Sequence, residues 1–166
     1  LYYGTAYRPN YTGFYGENIP DINKTKRLKA GYKMCMKKLA EYPASPYFLN
    51  CAVQIAVRMG QEREIKQTLW WRLYSILSVI RTSGEGTMES PLLVLDIKDE
   101  YETAYKMFDS SVKSNFFYGK NPQGRTIEYL EVTPNKGSAF QGSEIWFDVE
   151  FPFSRLGQIL GTEPAE

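Results

Sequence analysis

Residues 21–60 read DINKTKRLKAGYKMCMKKLAEYPASPYFLNCAVQIAVRMG, and this stretch decides the first half of the fold. Apolar side chains recur every three or four positions opposite a stripe of lysines, which predicts an amphipathic helix over 23–41. Two prolines then interrupt the pattern, and Ser45 between them can cap a second helix over 46–59. The short connection predicts that the two helices pack antiparallel.

The helical pattern continues beyond this stretch and then stops. Apolar positions at helical spacing over 62–81 predict a third antiparallel helix. The sequence Ser-Gly-Glu-Gly-Thr at 83–87 ends the pattern. A continuous apolar run at 92–97 then predicts a strand, and residues 98–109 predict a short helix. A β-α step therefore opens the second half of the chain.

Three further strands are predicted at 114–118, 126–132 and 144–153. The turn sequences NPQG and PNKG separate them, which predicts an antiparallel meander. The last segment alternates strictly, so we expect one of its faces in the core and the other largely in water. Its inward side chains are Ile145, Phe147, Val149, Phe151 and Phe153, and its outward ones are Glu144, Trp146, Asp148 and Glu150.

These elements predict the α+β fold class. We expect an N-terminal aromatic arm, an antiparallel three-helix layer, a β-α step and a small, mainly antiparallel sheet. The length fits one domain over 1–166, with the arm at 1–20, a helical part at 21–82 and a strand-rich part at 90–156. The chain opens with Leu1 and not with Met, which we interpret as a sign of processing.

The composition argues against several classes of function. The net charge is +1, so no strong field attracts nucleic acid or an anionic membrane, and we expect no nucleic-acid partner. No apolar run reaches the roughly 20 residues that a membrane-spanning helix needs. The chain contains no histidine, which excludes histidine-assisted serine or cysteine catalysis within it. We expect no cofactor and no metal, and we assign no catalytic residue.

Aromatic residues are the main candidates for binding. The first 20 residues contain five tyrosines among glycines and prolines, and two adjacent tryptophans stand in the third predicted helix with Tyr74 close by. Aromatic rings supply contact area at low entropic cost, so they can form a platform for a peptide or a sugar. The alternative, which we favour for the arm, is that its rings pack into the core of the chain itself. The candidate binding residues are Tyr3, Tyr7, Tyr11, Tyr15, Trp70 and Trp71.

Two cysteines, Cys35 and Cys51, stand on neighbouring predicted helices. The turn between the helices places them at matching heights, so a disulfide between them is geometrically possible. Buried free cysteines serve equally well as small apolar side chains, and this is the reading we favour. Their spacing matches neither a zinc site nor a redox motif.

Three acidic residues cluster where a predicted strand meets a helix, and they are Asp96, Asp99 and Glu100. Such carboxylates can bind a hard cation such as calcium. Their spacing matches no calcium loop, and acidic residues at a helix start are expected from capping and from the helix dipole, so we favour capping. The glycine turn at 84–87 can cradle an anion, but it lacks the lysine of a phosphate loop, so we favour a structural hinge.

A second set of carboxylates lies on the predicted strands, and its members are Glu128, Glu131, Asp148 and Glu150. Two of them can pair across strands as the acid and the base of glycoside cleavage. Charged residues are also ordinary on the wet face of a sheet. A catalytic pair requires two of these carboxyl groups to meet in a cleft.

Residues 30–67 carry markers of a helical repeat, namely Leu39, Pro43, Leu49, Ala52 and Gly60. On these markers the stretch resembles tetratricopeptide-repeat sequence across a repeat junction. The resemblance covers about one and a half repeats, fewer than a free-standing array needs. It implies a helical layer like that of tetratricopeptide repeats.

Four other stretches carry a second resemblance, and they are Tyr2-Tyr3-Gly4, RTSGEG at 81–86, VLDIKDEY at 94–101 and IWFDV at 145–149. On them the chain resembles a family of uncharacterised secreted proteins from gut Bacteroidetes. This resemblance implies export to the periplasm or the cell surface, and it implies no known activity. The chain departs from the family at Glu85, where the family has aspartate.

Two functions follow as expectations. The first is a non-catalytic module that recognises a protein or peptide outside the cytoplasm. The second is a surface protein that binds or processes carbohydrate, with carboxylates on the sheet and the aromatic arm as a platform. A structural role in a larger surface assembly is a third reading.

Overall fold

The computed structural model describes residues 2–9, 11–13 and 27–160. A 3-10 turn at Tyr3–Tyr7 opens the chain, and five helices and four strands follow among these residues. They are α1 (Leu28–Glu41), α2 (Pro46–Arg58), α3 (Arg63–Arg81), β1 (Leu92–Leu93), α4 (Ile97–Lys106), β2 (Ser110–Lys120), β3 (Thr126–Pro134), β4 (Glu144–Asp148) and α5 (Glu150–Leu160). This arrangement confirms the predicted α+β class.

The first three helices pack in chain order, α1 against α2 and α2 against α3. The Ser45 hydroxyl accepts a hydrogen bond from the Phe48 amide at 3.3 Å, which confirms the predicted cap of α2. Helix α2 is buried on most sides because α4 also packs against it. Helix α1 begins at Leu28, later than predicted, because Arg27 is not helical. The predicted start at residues 23–26 lies outside the described residues.

The sheet has the strand order β1-β4-β3-β2. Strands β2, β3 and β4 form the predicted antiparallel meander, and β1 pairs parallel with β4. The predicted strand at 92–97 is shorter than expected, because the Asp96 side chain accepts a hydrogen bond from the Lys98 amide at 2.8 Å and starts α4 there. Helix α4 packs against β2 and connects the sheet to the helical layer.

The prediction of one long final strand at 144–153 was wrong. Strand β4 ends at Asp148, whose side chain accepts a hydrogen bond from the Glu150 amide at 3.0 Å, and α5 starts at Glu150. Pro152 lies in the first turn of α5, where proline is tolerated. The outward face was also predicted wrongly, because Trp146 and Asp148 are buried.

The main hydrophobic core runs through both halves of the chain. Its buried side chains come from the N-terminal arm, from α1 to α4 and from all the strands except β2. Among the described residues, no helix is both long and apolar enough to cross a membrane.

Candidate binding groove on helix α3

Helix α3 has two faces of different chemistry. Its inward side chains Leu69, Leu73, Leu77 and Ile80 are buried against the core. The opposite face lines an open groove of about 780 Å³, and its residues are Gln67, Trp70, Trp71, Tyr74, Ser75 and Ser78. They recur three, four, seven and eight positions apart, so one face of a single helix supplies the whole lining.

The rings of the groove are arranged for contact with a ligand. Trp70 and Tyr74 stack with their centroids 5.3 Å apart and their planes at 19°. Trp71 projects beside this pair with 78% of its surface exposed. The remaining lining groups are an amide and two hydroxyls, so the lining from the described residues carries hydrogen-bonding groups but no charged side chain. Because one helix face supplies these residues, the groove is shallow, and it can cover one side of an apolar side chain and offer a few neutral hydrogen-bonding groups beside it.

The tyrosines of the arm do not line this groove. Tyr11 is buried, and its hydroxyl donates to the Leu95 carbonyl at 2.9 Å. Tyr3 is half-buried, and its hydroxyl lies 3.4 Å from the carbonyls of Val79 and Leu93. Burial raises the pKa of both phenols above the usual value. These two rings fix the arm to the core, as we favoured.

Tyr7 and Tyr15 complete the predicted set. Tyr7 is exposed and its ring makes an edge contact with Phe151 of α5 at 6.0 Å. It lines a separate cavity of about 330 Å³ with residues of the arm and of α5. Tyr15 lies outside the described residues. Of the six predicted residues, the structure therefore brings together Trp70 and Trp71 on α3.

Cys35 on α1 and Cys51 on α2 are buried free thiols that face each other. The Cys51 thiol donates a hydrogen bond to the Cys35 sulfur, and this bond together with burial raises the pKa of Cys51. The thiols pack as apolar side chains in this structure, which is the reading we favoured, and they remain free instead of forming the possible disulfide.

The three acidic residues before and in α4 are all buried. Asp96 caps the helix, as predicted, and Asp99 accepts a hydrogen bond from the buried Tyr2 hydroxyl at 2.6 Å. No group of three or more acidic or cysteine side chains in the described part of the chain is arranged to hold a metal ion. Asp96 and Asp99 therefore serve to start α4 and to anchor the arm.

Glu100 has an environment that the sequence did not reveal. It is fully buried, no hydrogen-bond donor from the described residues reaches its carboxyl oxygens, and its carboxyl faces that of Glu128 on β3. Burial, followed by the hydrogen bond and charge of Glu128, raises the pKa of Glu100 well above its usual value. Burial therefore favours the neutral form of the Glu100 carboxyl where α4 packs on the sheet.

The four sheet carboxylates are distributed over both faces of the sheet and over α5. Glu128 points toward α4 and accepts from the Asn115 amide at 3.1 Å, whereas Asp148 belongs to the opposite face and forms an ion pair with Arg125. Glu131 pairs with Lys113 at 3.5 Å on the exposed side of the sheet. Glu150 in α5 accepts from the Thr126 amide at 2.7 Å. Each carboxylate therefore has a structural partner.

The glycine turn at 84–87 is closed on itself. The amides of Glu85, Gly86 and Thr87 all donate to the Ser90 carbonyl, at 2.8, 2.9 and 3.3 Å. Any side chain at Gly84 would collide with the backbone carbonyl of Pro91, so only glycine fits at this position. The amides that could bind an anion are thus occupied within the turn, in agreement with a structural role.

Comparison with known proteins finds no relative, because no protein-family model, no curated protein and no solved structure matches the chain. Function is therefore inferred from the geometry of the chain and from the resemblances described above.

Proposed function

We propose that this protein is a non-catalytic interaction module that binds a peptide segment of a partner protein in the α3 groove. The observation that carries the proposal is the exposed Trp71 beside the stacked Trp70 and Tyr74. Tryptophan and tyrosine are the residues that most often dominate the energy of protein interfaces. A ring as exposed as Trp71 makes few contacts in the free chain, so a partner that covers it gains most of its apolar area.

The chemistry of the groove favours a peptide with an apolar anchor. Its lining residues in the described part of the chain are uncharged, so contact there rests on aromatic rings and neutral polar groups. The Gln67 amide and the hydroxyls of Ser75 and Ser78 can bond to the backbone of a bound peptide. The expected ligand is therefore a segment with one or two aromatic or aliphatic side chains flanked by neutral residues.

Carbohydrate binding is the alternative function, because a flat exposed ring such as Trp71 can also stack on a sugar. Glycan processing by the sheet carboxylates has less support, since Glu128 and Asp148 belong to opposite faces of the sheet. The proposed location is the periplasm or the cell surface, supported by the resemblance to secreted proteins. Recovery of the native protein in the cytoplasmic fraction of its host would contradict that location.

The proposed function is tested by selecting binders from a random peptide library on the immobilised full chain, with a glycan array probed in parallel. We expect peptides with an aromatic or aliphatic anchor that bind the wild-type chain and not a Trp71→Lys variant. Tyr105→Lys is the matched control, because Tyr105 is an exposed ring on α4 and not on α3. Peptides that bind the Trp71→Lys variant equally well, or glycans in place of peptides, would overturn the proposal.

A further inference from the structure

Strand β2 is a long edge strand with exposed aromatic rings. It has 11 residues and stands at the end of the sheet, with β3 on one side and no partner strand among the described residues on the other. Phe116, Phe117 and Tyr118 are 43%, 58% and 52% exposed. Long edge strands are usually shielded, because their free backbone groups can pair with another strand.

The three rings lie on both faces of the sheet. Phe116 stacks on Tyr129 at 5.1 Å, and Tyr118 contacts Trp146 at 5.3 Å, which places both rings on one face. Phe117 stacks on Phe153 of α5 at 5.2 Å, on the opposite face. A helix or a flat ligand would cover one face only. A strand added along the edge would cover both, because successive side chains of a strand point to opposite faces.

From this geometry we infer that β2 is the interface of a two-fold dimer, in which β2 of one copy pairs antiparallel with β2 of another. If the pairing is centred on Phe117, the Phe117 residues of the two copies lie opposite each other. Phe116 of each copy then lies opposite Tyr118 of the other copy, so rings on the same face of the sheet meet. The charges are compatible with this register, because Lys120 comes opposite Ser114, and Lys113 comes opposite the turn that follows β2 at Asn121. The strand is therefore its own complement, as a two-fold interface requires.

The same strand limits association to two copies. With β3 on one side, β2 offers one open edge among the described residues, so each copy can pair with one other copy through it. Register shifts next to Lys113 and Tyr118 and the flanking lysines weaken pairing at this edge, but they do not set the number of copies. The opposite edge of the sheet is β1, which has only two residues, Leu92 and Leu93. Once two β2 edges have paired, no long edge is left to extend the sheet among the described residues.

The rings also set the expected strength of the dimer. Three aromatic side chains that are about half exposed offer roughly 300 Å² per copy, less than the roughly 800 Å² per partner of a standard stable interface. The dimer should therefore be weak and depend on protein concentration.

Sedimentation equilibrium of the full chain over a wide concentration range tests the inference. We expect the mass to rise from 19.1 kDa toward twice that value. In Phe117→Lys two cations would oppose each other at the two-fold axis, so the dimer should be lost. An equal mixture of Phe117→Lys and Phe117→Glu should restore it. Trp71→Lys, on α3, should dimerise like the wild type.

Three results would overturn the inference: a wild-type chain that stays monomeric at every concentration, a dimer that persists in Phe117→Lys, or a mixture that fails to associate. Amide hydrogen exchange of the wild-type chain decides the matter if a variant does not fold. When the protein concentration is raised, amide exchange should slow in β2. Slowing confined to other segments would show that β2 is not the dimer interface.

Discussion

Glu102 on α4 should make the protein lose stability as the pH rises toward neutrality. Its side chain is buried, and the Asn50 amide donates to it at 2.8 Å. Burial raises its pKa from 4.5 to about 7, although the Asn50 hydrogen bond and Lys106 act in the opposite direction. The unfolded chain therefore loses this proton at a lower pH than the folded chain does.

The size and sign of the effect follow from that difference. Between pH 4.5 and 7 the folded state holds more protons, so the contribution is complete below pH 4.5 and is lost as the pH rises through about 7. One pKa unit corresponds to about 1.4 kcal/mol, so the loss from Glu102 is about 3 kcal/mol. For a domain of ordinary stability, this is a large fraction of the free energy of unfolding.

Glu102→Gln isolates this contribution. The glutamine has the same shape, still accepts the hydrogen bond from Asn50 through its amide oxygen, and cannot ionise. Urea unfolding from pH 4 to 8 should show that the difference in stability between variant and wild type grows by about 3 kcal/mol in favour of the variant. Glu41→Gln is the control, because Glu41 forms a surface ion pair with Lys38 on α1. Parallel stability curves for wild type and Glu102→Gln would show that Glu102 has the same pKa in the folded and unfolded chains.

Two further predictions concern the core. Tyr2→Phe removes the buried hydrogen bond to Asp99 and should lower the free energy of unfolding by about 1–3 kcal/mol. Tyr7 is exposed, so Tyr7→Phe should change the stability little. Equal urea midpoints for the two variants would contradict this role of the arm. Cys35 and Cys51 are buried, so a thiol reagent should label them slowly in the native protein and rapidly in urea. Rapid labelling of the native protein would show that α1 and α2 open readily.

Much of the fold could be predicted because local signals agreed with tertiary packing. Helix α2 has a serine cap, a proline in its first turn and an apolar pattern at helical spacing, and all of these operate in the structure. The final strand could not be delimited, because Phe151 and Phe153 continue the alternation of β4 while the chain is already helical. The strand ends there because the Asp148 side chain accepts a hydrogen bond from the Glu150 amide. The alternating sequence pattern does not reveal this hydrogen bond.

The candidate site was predictable in part for a related reason. Trp70 and Trp71 stand out in the sequence, and helical spacing places Tyr74 beside them. The buried pair Glu100 and Glu128 was not predictable, because these residues are far apart in the sequence and meet only when α4 packs on the sheet. The run Phe116-Phe117-Tyr118 did carry a signal, since three consecutive rings in a strand must occupy both faces.

Isothermal titration calorimetry of a library-selected peptide with wild type and with Trp71→Ala shows whether the α3 groove binds the peptide. Trp71 is 78% exposed, so its removal should leave the fold and the urea midpoint almost unchanged. If the α3 groove is the binding site, the affinity should fall by roughly 30-fold, as expected for an interface anchor worth about 2 kcal/mol. An unchanged affinity in a folded Trp71→Ala variant would show that the peptide binds elsewhere and that the α3 groove is not its site.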